Sequence, residues 1–263
     1  MGEDHLLVSV ESGIGSVTLH RPDRLNSFTA AMLVDLRATL QGFAADEGVR
    51  CVMLTGAGRA FCAGQDLSDR SVAPGAAPPD LGESLGERYN PVVTALRTMP
   101  KPVVVAVNGV AAGAGANLAL HGDIVIAARS ARFIQSFAKL GLVPDSGGTY
   151  LLPRLAGSAR AMGMALLAGP VTAEQALEWG MVWAVVDDGE LTAAATAIAV
   201  ELAAGPTAGY ARIKQAFAAS LGNTLADQLE LERVLQQEAG WSDDYAEGVA
   251  AFMEKRPPRF GGR

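Results

Sequence analysis

One carboxylate and two loops of glycine and alanine are the residues of this chain best suited to chemistry. Asp145 lies in Gly141-Leu142-Val143-Pro144-Asp145-Ser146-Gly147-Gly148. The loops are Ala60-Phe61-Cys62-Ala63-Gly64-Gln65-Asp66 and Asn108-Gly109-Val110-Ala111-Ala112-Gly113-Ala114-Gly115-Ala116-Asn117. Small residues let a ligand approach the backbone closely. The first loop follows a buried strand ending near Thr55, and its Gln65 N–H would point at a ligand oxygen. The second runs from a strand, Val103 to Asn108, into a helix start, which makes the Ala114 N–H a second donor. Such N–H groups lack helical partners and lie at the positive end of the helix dipole. Two donors and one carboxylate suffice for proton transfer beside a carbonyl, with no metal or redox cofactor required.

Each feature also has an ordinary reading. The first loop alone could be a common strand-to-loop turn. Asp145 could be a helix N-cap, although Ser146 could fill that role instead. Apolar Phe137, Leu142 and Val143 near Asp145 would give its carboxyl an altered proton affinity. Gly113-Ala114-Gly115 has the start of a dinucleotide fingerprint, but Leu118 holds the place of the third glycine, which argues against a nicotinamide site.

Other chemistries find less support. His5, His20 and His121 stand singly, and no Gly-x-Ser-x-Gly nucleophile elbow is present. Cys51 and Cys62 have no metal-ligand spacing, and Cys62 reads as a buried thiol. The net charge of −7 disfavours nucleic acid as a partner. No uninterrupted apolar run reaches a membrane-spanning length, so no membrane partner is expected. The first residues look like neither a secretory signal nor a transit peptide, and the expected location is cytoplasmic.

These residues need a scaffold, and 263 residues with 49% apolar side chains can supply one. Segments 6–10 and 14–19 read as a hairpin around Ser12-Gly13. Thr29 is placed to cap a helix reaching about Asp46, with Met32, Leu33, Leu36, Leu40 and Phe43 on one stripe. Buried strands at 49–55, 103–108 and 123–127 alternate with helical stretches, including one from Leu81 to Thr98, which indicates an α/β fold. The Pro-, Ala- and Gly-rich stretch Ser71 to Asp80 reads as a mobile loop. After about Ala156 helical patterns dominate.

Taken together, the two loops and the segment Gly141 to Thr149 resemble the signature segments of the crotonase (enoyl-CoA hydratase/isomerase) superfamily, in order and spacing, from Val8 to Phe260. Within it, the run Pro144-Asp145-Ser146-Gly147-Gly148-Thr149-Tyr150 through Arg154, with Trp179 to Trp183, is most similar to the isomerases of phenylacetate catabolism. The resemblance implies a spiral of ββα turns over residues 1–195 and a helical trimerisation region over 196–263, assembled as a trimer or a dimer of trimers. It implies an acyl-CoA thioester substrate, whose oxygen is bound by the Gln65 and Ala114 N–H groups, with Asp145 as acid and base. Coenzyme A then belongs to the substrate and no separate cofactor is expected. Ala63, Asp66, Leu67, Gly113, Asn117 and Phe137 fall at substrate-binding positions; Arg24 matches a loop that contacts the CoA nucleotide, and Lys255 a C-terminal cation that reaches CoA. Family hydratases hold water between two glutamates, and here those positions carry Asn117 and Phe137. The expected activity is therefore a double-bond shift, or rearrangement of an aromatic ring epoxide to an oxepin, on a CoA thioester. The alternatives are a 2-enoyl-CoA hydratase with Asp145 as its only acid–base group and an acyl-CoA-binding protein without catalysis. RNA binding, found in one branch of the superfamily, is disfavoured by the charge.

Overall fold

The computed structural model describes residues 5–70 and 79–263. Of the expected mobile loop, residues 71–78 lie outside this range. The chain winds between two sheets. Strands β1 (Leu6–Glu11), β2 (Ile14–Leu19), β3 (Cys51–Gly56), β5 (Val103–Val107), β7 (Ile124–Ala128) and β10 (Ala184–Val186) form one, in the order β1-β2-β3-β5-β7-β10. Strands β4 (Ala60–Cys62), β6 (Val110–Ala112), β8 (Arg132–Ile134) and β9 (Pro170–Thr172) form the other, in the order β4-β6-β8-β9. Successive turns of the chain add one strand to each sheet, mostly in parallel, and this is the expected spiral.

Side-chain alternation builds two apolar layers around the larger sheet. Val103, Val105 and Val107 of β5 enter one layer, and Val104 and Ala106 enter the other. The first layer is closed by helix α1 (Ala30–Ala45), which buries the five residues of its expected stripe. Its cap is also as expected, with Thr29 Oγ1 accepting from the Met32 N–H at 3.2 Å. The second layer is closed by Ala195, Ala199 and Ala203 of α8 (Leu191–Ala204). That helix is continuous across the 195/196 division expected from sequence.

The helix expected over 81–98 forms as one continuous run from Leu81 to Arg97 with a π turn inside it. Helix α2 (Leu81–Ser84) passes through a π turn at Leu85–Tyr89 into α3 (Asn90–Arg97). Pro91 has no N–H to give to a carbonyl in the preceding turn, and the Asn90 N–H bonds five residues back, to Leu85. The remaining helices are α4 (Ala114–Ala119), α5 (Gly148–Ala156), α6 (Ser158–Leu167), α7 (Ala173–Glu178), α9 (Thr207–Ser220), α10 (Leu225–Gly240) and α11 (Asp243–Glu254). The last three form the helical C-terminal region.

Candidate active site

The first donor loop begins where β4 ends, and a register slip between Ala60 and Cys62 aims the chain out of the sheet. Ala63 donates its N–H to the Leu25 carbonyl at 2.9 Å, which ties the loop to the segment carrying exposed Arg24. Gly64 takes φ +91°, a conformation that favours glycine. Phe28 donates to the Gly64 carbonyl at 2.7 Å, and Asp66 donates to the Phe28 carbonyl at 3.0 Å. In a parallel bridge of this kind the intervening residue directs its N–H toward the opposite edge, so the Gln65 N–H faces away from Phe28. The Gln65 side chain is held as well. Its Nε2 donates to the Asp66 carbonyl at 3.0 Å, and the Tyr89 hydroxyl donates to its Oε1. Tyr89 is buried at the end of the π turn, edge-on to Phe28 with centroids 6.1 Å apart. A cavity of about 340 Å³ opens beside Gln65, lined by Leu33, Leu81, Ser84 and Arg88 among others.

Asp66, expected at a substrate-binding position, has its carboxylate engaged within the chain. It accepts from the Ser68 hydroxyl at 2.6 Å and pairs with Arg21 at 3.0 Å. The Ser68 hydroxyl, with help from Arg21, pushes its carboxyl down to about 2. Leu67, the next residue, is exposed.

The second donor loop turns at Gly113 (φ +53°) into α4. The helix start lies directly on the end of β4. A Cβ built on Gly115 would stand 2.5 Å from the Cys62 carbonyl oxygen and 2.7 Å from its Cβ. One built on Gly64 would stand 3.7 Å from the Ala114 nitrogen. The absent side chains thus let the Gly64 turn, next to Gln65, pack against the Ala114 nitrogen. Cys62 lies between the loops, but burial pushes its thiol up to about 12, so it is no nucleophile at neutral pH. Phe137 is buried against Gly113, with its Cζ 3.7 Å from where a Cβ would stand.

Asp145 is half-buried and reaches the same region through α4. Asn117, one turn beyond Ala114, donates from Nδ2 to the Asp145 carbonyl at 2.8 Å. Gln135 Nε2 donates to Asn117 Oδ1 at 2.8 Å. Asn117 is fully buried, and both ends of its amide are engaged by protein, whereas the sequence placed it among the groups that touch substrate. His121 Nε2 lies 2.9 Å from the Ser146 carbonyl oxygen. The Ser146 hydroxyl donates to Asp145 Oδ1 at 2.9 Å. Neither Asp145 nor Ser146 caps α5 with its side chain; Gly147, at φ +74°, stands at the cap. Leu142 and Val143 are exposed and do not enclose Asp145 in an apolar pocket.

The fold therefore brings Ala114, Asn117, Phe137, Gly113 and the Asp145 backbone together around α4, with the Ala63–Gln65 loop alongside, while the Asp66 carboxylate is turned to Arg21 and Ser68. Lys255 is exposed at the end of α11, in the C-terminal helices. Tyr89, Gln135 and His121 were not assigned roles from sequence. Among the described residues, no group of three or more His, Cys, Asp or Glu is placed to hold a metal ion.

Two glycine-containing loops that meet at the start of α4, with the Asp145 backbone held to the same helix, are carried on a two-sheet spiral. Residues 9–263 match the family described as enoyl-CoA hydratase/isomerase. This chain belongs to that family. The chain is thus an enzyme of the enoyl-CoA hydratase/isomerase family. The chain is 57% identical to the 1,2-epoxyphenylacetyl-CoA isomerase of Escherichia coli K12 over 99% of each chain. It is 50% identical to a Rhodobacter capsulatus protein named "Probable enoyl-CoA hydratase", over 97% of this chain and 96% of that one. The crystal structure of enoyl-CoA hydratase from Bacillus anthracis superposes with a TM-score of 0.92 at 31% identity, covering 98% of this chain and all of the other.

Proposed function

We propose that this chain is an acyl-CoA isomerase that shifts an enoyl double bond or rearranges 1,2-epoxyphenylacetyl-CoA to its oxepin isomer. The observation that carries this reading is the position of Asp145, reached from the helix whose first N–H is the Ala114 donor. The Gln65 and Ala114 N–H groups bind the thioester oxygen. Asp145 takes a proton from a carbon of the substrate, and the bond's electron pair moves onto that oxygen as an enolate. The same carboxyl returns the proton to a different carbon, so no atoms are gained or lost. Each backbone donor contributes about 3 kcal/mol to stabilising the oxyanion, and the positioned acid–base group roughly 10²–10⁴-fold in rate. Of the residues around Ala114, Asn117 and Phe137 offer no second carboxylate for activating water. The match to the Escherichia coli isomerase supports the same reaction class.

Arg24 and Lys255 fit contacts to the CoA phosphates, with Lys255 reaching a neighbouring subunit's ligand. The substrate brings its own CoA, and the reading needs no other cofactor. A trimer or a dimer of trimers is part of the proposal, supported by exposed Phe217, Trp241 and Phe252 on the C-terminal helices. So is a cytoplasmic location; among the described residues, no single helix is long and apolar enough to cross a membrane.

The test is a mass-resolved assay of 3-enoyl-CoA in heavy water, with 2-enoyl-CoA in parallel and the ring epoxide to follow. Double-bond migration with little water addition is expected, and Asp145→Asn should lower it by at least 10²-fold. Rapid hydration would instead favour the hydratase reading, which the hydratase-named relative keeps in view. Binding without turnover of any of these thioesters would leave an acyl-CoA-binding protein.

A further inference from the structure

We infer that Asn117 and His121 are positioning residues that clamp the Asp145 loop by its backbone carbonyls and lock it to the helix bearing the Ala114 donor. The inference rests on Asp145 being the acid–base group.

Asn117 and His121 are four residues apart on α4 and its last turn, and so share one face. That face receives two consecutive carbonyls, Asp145 at 2.8 Å and Ser146 at 2.9 Å. The loop needs such restraint. Ser146 is a non-glycine residue at φ +49°, followed by Gly147 at +74°. A left-handed serine persists only where its surroundings over-determine it. The packing leaves no slack: a Cβ on Gly147 would come within 2.7 Å of His121 Nε2, and one on Gly148 would overlap the Asn117 amide.

The hydrogen-bond directions are forced. A carbonyl can only accept, so Asn117 must turn its NH2 toward Asp145 and its oxygen toward Gln135. Gln135, fully buried, thereby fixes the amide's orientation. By the same logic His121 carries its proton on Nε2. Its Nδ1 is buried with no partner among the described residues, and burial, against the opposing pull of the Ser146 carbonyl and with help from Arg97, lowers its proton affinity and favours the neutral ring. The first turn of α4 therefore presents an oxyanion donor, and the next turn holds the loop of the base. One short helix sets the distance between the two halves of the reaction.

The experiment uses full-length protein and the 3-enoyl-CoA isomerisation assay. Asn117→Ala and His121→Leu remove the clamping donors, while His121→Gln keeps an N–H near the Nε2 position. A displacement of about 1 Å at a catalytic group costs up to about 10²-fold, so kcat should fall 10- to 100-fold with KM within about twofold. His121→Gln should recover most of that loss. Combined with Asp145→Asn, neither variant should slow the residual reaction further, because residues acting through one group are not additive. A purely structural role would lower the melting temperature and leave kcat unchanged, or slow Asp145→Asn additionally; either result overturns the clamp. If Asn117→Ala does not fold, the two His121 variants decide. Inactive Asp145→Asn with wild-type kcat in the clamp variants removes only this inference. Active Asp145→Asn removes the acid–base reading itself.

Discussion

At the scale of single residues, two carboxylates on neighbouring loops have different surroundings and different uses. Asp66 accepts from Ser68 and pairs with Arg21, and its carboxyl is pushed down to about 2. Its folded value lies below the ordinary 3.8, so the ionised form stabilises the fold. That stabilisation is complete above about pH 4 and fades as the pH falls through about 2. Asp66→Asn should therefore lose about 1 kcal/mol at pH 7, the scale of a partly screened ion pair, and less at pH 3. Urea unfolding of both proteins at the two pH values measures this; an equal deficit at both would mean that the charge contributes nothing. Asp145, by contrast, has its backbone carbonyl and a neighbouring hydroxyl held, and is half-buried beside exposed Leu142 and Val143. Of the apolar residues expected near it, Phe137 is buried whereas Leu142 and Val143 are exposed.

At the scale of elements, contact between the start of α4 and the end of β4 sets the oxyanion site. Gly115 is the hinge of that contact. In Gly115→Ala the new methyl meets the Cys62 carbonyl oxygen and Cβ at 2.5 and 2.7 Å, neither of which can yield without moving β4. Overpacking of this kind costs roughly 1–3 kcal/mol. The loss of kcat should exceed 10-fold, since both donors shift. Gly42→Ala, where a Cβ on α1 meets nothing within 4 Å, is the control and should be neutral or slightly stabilising. Steady-state kinetics and thermal melts of the pair settle the matter, and normal kcat in Gly115→Ala would show that the spacing of the loops is not critical. The π turn at Leu85–Tyr89 belongs to this scale too. Pro91 breaks the helical ladder, and the widened turn ends on the tyrosine that bonds the Gln65 side chain.

At the scale of the molecule, the larger sheet is covered on both faces, and the C-terminal helices still expose large apolar groups. Tyr245 and Phe252, seven residues apart on α11, are 57% and 82% exposed, and Trp241, at the end of α10, is 76% exposed. Such a surface on a chain of this family fits subunit association. Phe252→Glu should shift a three- or six-chain particle toward single chains in light scattering after gel filtration. Unchanged mass would place the subunit interface elsewhere. Lys255 follows that helix directly, so weakened association should also raise KM for the CoA thioester.

The sequence by itself determined the long elements, because periodicity needs length to be read. The α1 stripe, its Thr29 cap and the buried strands were all legible, and the two donor loops showed as glycine-rich ends of strands. Tertiary structure decided the second sheet, whose strands run only three residues each, too short for any alternation to register. It also decided which polar groups act together. Asn117 and Asp145 are 28 residues apart, and Gln135 is 18 from Asn117; their hydrogen bonds exist only because the spiral stacks those turns. The residue types suggested the chemistry, and the packing of one small helix set the groups in place.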